Sequence, residues 1–179
     1  MILRVNTRNC PAFLDLYRAA GGGRFGWTLD LGIGDGRLMP GTLELGERWL
    51  GYDLRRTALL RARAASLLGP HQVAFHQGNA ERLPYRTGSF SSVVSNGLLH
   101  HVSAPDRVLM EAERVLAPGG LVLFRGPVVT RPGRGGRLLE LADLERMVSQ
   151  LGYTADTVQR VGRHWLWCAR KQCDGTPIT

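Results

Sequence analysis

The feature that most restricts the fold is an alternation. Short apolar runs recur along the chain: WTLDL (27–31), RWLGYDL (48–54), QVAFHQ (72–77), FSSVVSN (90–96) and LVLFRG (121–126). Most are separated by stretches with helical periodicity. A helix is expected to begin near Gly36, and a second to fill 55–69, where Gly69 and Pro70 stop it. A third, over 104–120, lines up Val108, Ala112, Val115 and Leu116 and ends at Pro118-Gly119-Gly120. A fourth, over 138–152, turns Leu141, Leu144, Met147, Val148 and Leu151 inward. A short helix containing Pro11 in its first turn comes before all of these and ends in the glycines at 21–23. Strands alternating with helices predict an α/β fold, a doubly wound and mostly parallel sheet with helices on both faces. Two closing strands, near 154–160 and 164–170, are joined through Gly162, and so short a join makes them antiparallel.

In such sheets ligands bind beyond the carboxyl ends of the strands. The loops after Leu31, Asp53, Gln77, Asn96 and Arg125 therefore share one crevice. The first of them is LDLGIGDG (29–36), with glycines at 32, 34 and 36. Glycine admits backbone angles closed to other residues and keeps a Cβ out of a ligand's way. The dinucleotide pattern needs a third glycine where Arg37 stands, and no Gly-Lys-Ser/Thr follows for a phosphate loop. Asp53 ends the second strand, where a carboxylate can accept from both hydroxyls of a ribose or cap the helix that follows.

LDLGIGDG, WLGYDL, GNAERLPYRTGSFSSVVSNGLLHHV and EAERVLAPGGLVLF occur in that order. Together they resemble the successive motifs of class I S-adenosylmethionine-dependent methyltransferases, in particular the small type 11 group that includes quinone-biosynthesis enzymes. The resemblance covers about residues 25–126. It implies seven strands in the order 3-2-1-4-5-7-6, strand 7 antiparallel. By position it implies that Asp30, Gly32, Gly34 and Gly36 surround the methionine part of S-adenosylmethionine, with Asp30 near the ammonium group. It further implies that Asp53 holds the ribose, that Leu54 packs on adenine, and that Asn79 and Ala80 meet the adenine edge. Asn96 would border both the methionine part and the substrate. The family usually has Asp where Asn79 stands; the neutral amide still offers a carbonyl acceptor. Ser91 likewise stands where Asp is common.

Methyl transfer from a sulfonium is an in-line displacement with a good leaving group, so alignment and exclusion of water do most of the work. A base is needed only for a protonated nucleophile. His100 and His101 are the candidates, and on a helical segment adjacent residues diverge too far for both to point inward. Arg131, Arg134 and Arg137, in RPGRGGR after the fifth strand, are candidates for an anionic substrate. His71, His76 and His164 lack companions that would suggest a metal, and none is expected. Trp165 and Trp167 share one strand face and are expected to pack.

The 179 residues suit one domain, with 44% hydrophobic and 21% charged residues. The expected division is 1–24 (short N-terminal helix), 25–126 (cofactor-binding half), 127–171 (C-terminal half) and 172–179 (tail), with no separate cap domain. The net charge is +8, and 22 of 23 basic residues are Arg, scattered among acids rather than in a run. A small-molecule acceptor, anionic in keeping with that charge, is the first reading, with S-adenosylhomocysteine as product. An RNA or protein methyltransferase and a non-catalytic cofactor-binding subunit are the alternatives; nucleic acid is not favoured, because no basic run carries interleaved aromatics. With so little to cover the substrate, a homodimer is expected to help close the site. The N-terminus lacks the apolar core of a signal peptide and no run is long enough to span a membrane. Cys10, Cys168 and Cys173 are expected as reduced thiols, and the protein as cytoplasmic.

Overall fold

The computed structural model describes residues 11–22, 26–36, 48–66, 73–128, 140–151 and 153–173. The helix expected near Gly36 and the arginines at 131, 134 and 137 lie outside the described residues. The elements run α1 (Pro11–Ala19), β1 (Trp27–Leu31), β2 (Arg48–Asp53), α2 (Arg56–Ser66), β3 (Val73–Gln77), β4 (Phe90–Asn96), a 3-10 turn (Leu99–His101), α3 (Pro105–Val115), β5 (Leu116–Pro127), α4 (Leu141–Val148), β6 (Tyr153–Val161) and β7 (His164–Lys171). They form one seven-stranded sheet in the order β3-β2-β1-β4-β5-β7-β6. β7 is antiparallel to both of its neighbours and the other pairings are parallel. The order reverses between β1 and β4, so the crevice opens at their carboxyl ends.

Alternation along each strand sends side chains to two cores. Along β5, Val122 and Phe124 face α3 and α4, while Leu121 and Leu123 face α1 and α2. On the first face Val108, Ala112 and Val115 of α3 and Leu144 and Val148 of α4 are buried against Leu29, Leu31, Trp165 and Trp167. The two tryptophans thus pack, as their spacing implies. On the second face Phe13 and Tyr17, one turn apart on α1, are buried with Trp49, Val94, Leu59 and Ala62. The Tyr17 hydroxyl pairs with Thr28 Oγ1 at 2.7 Å. At the other end of α1, the Ala20 carbonyl accepts from Arg170, which sits opposite Leu121 at the amino edge of the parallel strands. α1 therefore points its N-terminal end toward the crevice edge.

One boundary differs from the sequence reading. The helix over 104–120 stops at Val115, and Leu116 is already extended, at φ −76 and ψ 132. Pro118 disfavours a helical Ala117 and has no N–H to give, so the apolar period continues past a backbone that cannot follow it. Lys171 donates to the Glu113 and Leu116 carbonyls that the ending helix leaves over.

No helix bridges β3 to β4; polar side chains hold that connection instead. Arg114 donates to the Leu83 and Tyr85 carbonyls and pairs with Glu111, which also accepts from Leu83 N–H at 2.6 Å. Glu81 Oε1 accepts from Ser103 N–H (3.1 Å), the Ser103 hydroxyl (3.0 Å) and Ala104 N–H (3.0 Å), at the start of α3. These bonds join the loop after β3 to the segment after β4. The Ala104 and Ser103 bonds hold the Glu81 carboxyl below its ordinary value, so its contribution is present above that range and is lost as pH falls through the lowered value. Glu81→Ala should cost about 1–2 kcal/mol in urea denaturation near neutral pH, and Glu81→Gln less. The deficit should shrink as the wild type is acidified below pH 4.

Candidate functional site

The carboxyl end of β2 holds the glycine loop. The Tyr52 carbonyl accepts from Gly32 N–H at 2.7 Å and Ile33 N–H at 3.2 Å, and Asp53 Oδ2 accepts from Gly34 N–H at 3.0 Å. Gly32 and Gly34 have φ of +70° and +58°, which L side chains rarely adopt. They differ in what surrounds them. A Cβ on Gly32 would press on Leu98 at 2.9 Å, so packing requires that glycine. A Cβ on Gly34 would meet only the Gly32 carbonyl at 3.9 Å and would project into open space that lines the crevice.

Two adjoining cavities make up the crevice, of about 360 and 300 Å³, sharing Gly32, Arg55, Gly97 and His101. Asp30, Gly34 and Asn96 line the larger. Asp53, Leu54, Asn79 and Ala80 line the smaller. Eight of the nine residues expected to hold the cofactor thus border one continuous space; Gly36 is buried just behind the loop. Asp35, Thr57 and Arg61 also line the larger cavity and carried no distinguishing pattern in the sequence.

Asp53 is 5% exposed. Its Oδ1 accepts from Arg55 N–H at 2.9 Å, so it holds the residue just before α2, which begins at Arg56, and does not cap the helix's first turn. A carboxylate has about four acceptor positions, and these backbone bonds leave room for hydroxyl donors from the crevice. Beside it Leu54 is 66% exposed, an apolar side chain that the fold leaves uncovered at the cavity wall. Asn79 Oδ1 accepts from Glu81 N–H at 2.9 Å, so the amide already fixes a turn there. Ser91 donates to the Trp27 carbonyl at 3.2 Å and supports the strand entrance, away from the cavities.

The two histidines part company. The 3-10 turn brings their rings together, with centroids 3.9 Å apart and planes tilted by 41°. His101 is exposed and borders both cavities; His100 borders neither. Burial, and then the neighbouring His101, push His100 down to about 4, so it is neutral at physiological pH and a weak base.

Asp30 is 2% exposed on the floor of the larger cavity. Burial raises its carboxyl to about 7; the nearby Trp49 indole opposes this without closing a hydrogen bond, and the Asp53 charge adds to it. Between about pH 4 and 7 the unfolded chain releases this proton while the folded chain keeps it. Stability of the ligand-free protein therefore falls as pH rises through that window. Asp30→Asn should match the wild type near pH 4 and exceed it at pH 8 by on the order of 2–4 kcal/mol in chemical denaturation. Equal pH profiles for the two proteins would show that Asp30 is already ionised in the empty crevice.

Residues 29–124 match the methyltransferase domain family. Over 97 residues the chain is 33% identical to the ubiquinone biosynthesis O-methyltransferase of Alkalilimnicola ehrlichii, an alignment covering 54% of this chain and 39% of that protein. The chain thus spans well under two thirds of that relative's length. In three dimensions it is similar to an S-adenosylmethionine-dependent methyltransferase from Mesorhizobium loti, with a TM-score of 0.74 at 20% identity over 91% of this chain and 97% of that one. It is also similar to magnesium protoporphyrin IX methyltransferase from Synechocystis PCC 6803 with bound SAH, at 0.72 and 14% over 90% and 81%. At such identities these two likenesses establish the shared fold. The family match covers more than half of the 179 residues and includes the glycine loop, the β2 aspartate and Asn96: the chain belongs to the methyltransferase domain family.

Proposed function

We propose that the protein is an S-adenosylmethionine-dependent methyltransferase that methylates an oxygen, carbon or nitrogen of a small-molecule acceptor. The observation that carries this reading is the Asp53 carboxylate, buried between the glycine loop and the exposed Leu54 in the wall of the smaller cavity. Family membership supports it, as does the SAH that the Synechocystis structure carries.

The residues present suit the cofactor. Asp53 would take the ribose hydroxyls, Leu54 would pack on adenine, and Ala80 would meet the adenine edge. Asn79 would accept from the adenine amino group, and Asp30 would meet the ammonium group, which favours the ionised form of that buried acid. When bound, the cofactor supplies a methyl group on a sulfonium that needs no further activation. The chain's part is then to align and enclose. Gly32 and Gly34 let the loop backbone lie against the ligand, and Asn96 and Gly97 form the wall toward the acceptor. Where the acceptor atom carries a proton, His101 is the imidazole facing the crevice, and His100 supports its ring from behind.

Calorimetry with S-adenosylmethionine and S-adenosylhomocysteine tests the cofactor. Asp53→Ala should weaken both by about 2–4 kcal/mol, and unchanged affinity in a folded variant would remove the assignment. Asn79→Asp should tighten binding two- to tenfold, since a carboxylate keeps the Glu81 bond and adds a charged acceptor. For the acceptor, transfer of a tritiated methyl group into lysate fractions should survive nuclease and protease treatment. Loss on either treatment would turn the assignment toward RNA or protein.

A further inference from the structure

Arg125 stands near the carboxyl end of β5, in an otherwise apolar run. It pairs in register with Asn96 of β4 on one side and Leu166 of β7 on the other. Strand alternation places it on the same sheet face as Leu123, the face that α1 and α2 cover. The side chain is half-buried, and its Nη1 donates to Asn96 Oδ1 at 2.9 Å. That bond sets the guanidinium directly behind a wall residue of the larger cavity, on the β5 side of the glycine loop.

Other partly buried cations of this fold are matched. Arg114 has Glu111 and two carbonyls, and Lys171 has Glu113 and two carbonyls. Arg125 has one neutral amide, and among the described residues no carboxylate pairs with it. Basic groups share its surroundings: Arg125 and Arg163 both depress the half-buried His164, after burial itself. A guanidinium offers five N–H donors, and Asn96 uses one. Keeping the rest half-buried beside like charge costs free energy that an oxyanion partner returns. The free edge of the planar fork matches a carboxylate in two parallel bonds.

We propose that Arg125, oriented by Asn96, is the acceptor-binding residue for a carboxylate group on the methyl acceptor. This rests on the function proposed above and narrows its substrate class. Opposite charges then stand on two strands around the larger cavity, Asp30 in its lining on β1 for a cationic group and Arg125, outside the lining and behind Asn96, for an anionic one. An acceptor held between β4 and β5 is oriented by its charge, and its methyl-accepting atom faces the glycine loop.

The probes are benzoate and its neutral isostere benzamide, titrated by ligand-observed NMR into the full chain with and without S-adenosylhomocysteine. Benzoate should bind at least tenfold more tightly than benzamide. Arg125→Gln should abolish that preference, and Arg125→Lys should retain part of it, because the charge stays and the fork is lost. Binding of S-adenosylhomocysteine should stay within twofold in both variants, and their melting temperatures should show that they fold. Equal binding of benzoate and benzamide, or benzoate binding indifferent to Arg125→Gln, overturns the proposal. So does a parallel loss of S-adenosylhomocysteine affinity in Arg125→Gln, which would give Arg125 to the cofactor's own carboxylate. A wild type that binds benzoate through Arg125 but not S-adenosylhomocysteine refutes the cofactor reading instead, and leaves an anion site without methyl transfer.

Discussion

The crevice depends on how β2 ends. In two consecutive residues the strand presents a carbonyl, at Tyr52, and a carboxylate, at Asp53, and both accept N–H groups from the loop after the neighbouring strand. Three successive loop residues, Gly32, Ile33 and Gly34, are held this way. The backbone reaches those acceptors only by taking positive φ at two of the three, which explains glycine there better than flexibility does. The same carboxylate accepts Arg55 N–H and so anchors the residue that leads into α2. One side chain therefore couples the loop, the lead-in to a helix and the wall of the smaller cavity. Replacing it disturbs all three at once, while a defect elsewhere in the sheet leaves this junction standing.

Asp30 contributes in the opposite sense. Burial raises its carboxyl to about 7, and the Asp53 charge adds to this in smaller measure. A fold selected for stability alone would place an apolar residue there, beside Trp49 and Val94. The site thus stores a preference for a cation in its floor. The Glu81, Glu111 and Arg114 bonds beneath the β3–β4 connection are of another kind. They satisfy a loop's backbone and hold its two ends together, and none of them points into a cavity.

Much of this was legible from residue order. Apolar runs bounded by Gly and Pro located the strands, the short join through Gly162 made the last pair antiparallel, and the acid closing WLGYDL marked Asp53. What stayed hidden depends on partners far apart in sequence. The helix expected to continue to Pro118 ends at Val115 because Pro118 overrides an apolar period that itself gives no warning. Which histidine faces the crevice is decided by the 3-10 turn, whose rings lean together where helical spacing would separate them. Arg125 did leave a signal, a charge inside the apolar run LVLFRG. Its meaning appears only when the register sets it against Asn96, 29 residues away.

The proposed displacement reaction asks little of acids and bases and much of geometry, and the distribution of polar groups in this crevice fits that demand. His100 is kept neutral by burial and gives up its hydrogen-bonding potential at Nδ1. Asp35, Arg55 and Arg61 line the crevice from a loop and from α2 and its lead-in; three further charges come from the sheet, Asp30 in the floor, Asp53 in the wall of the smaller cavity, and Arg125 behind Asn96. Each of these three is anchored on a strand of the central sheet rather than on a loop. Strands held in register by parallel pairing keep these charges at fixed separations while the loops between them vary. On the proposed reading, a ligand carrying a cation at one end would meet Asp30 on β1, and an acceptor carrying an anion would meet Arg125 two strands away. The line between those charges crosses Asn96 on β4, where the strand order reverses. On that reading, alignment of donor and acceptor would be built into the sheet itself.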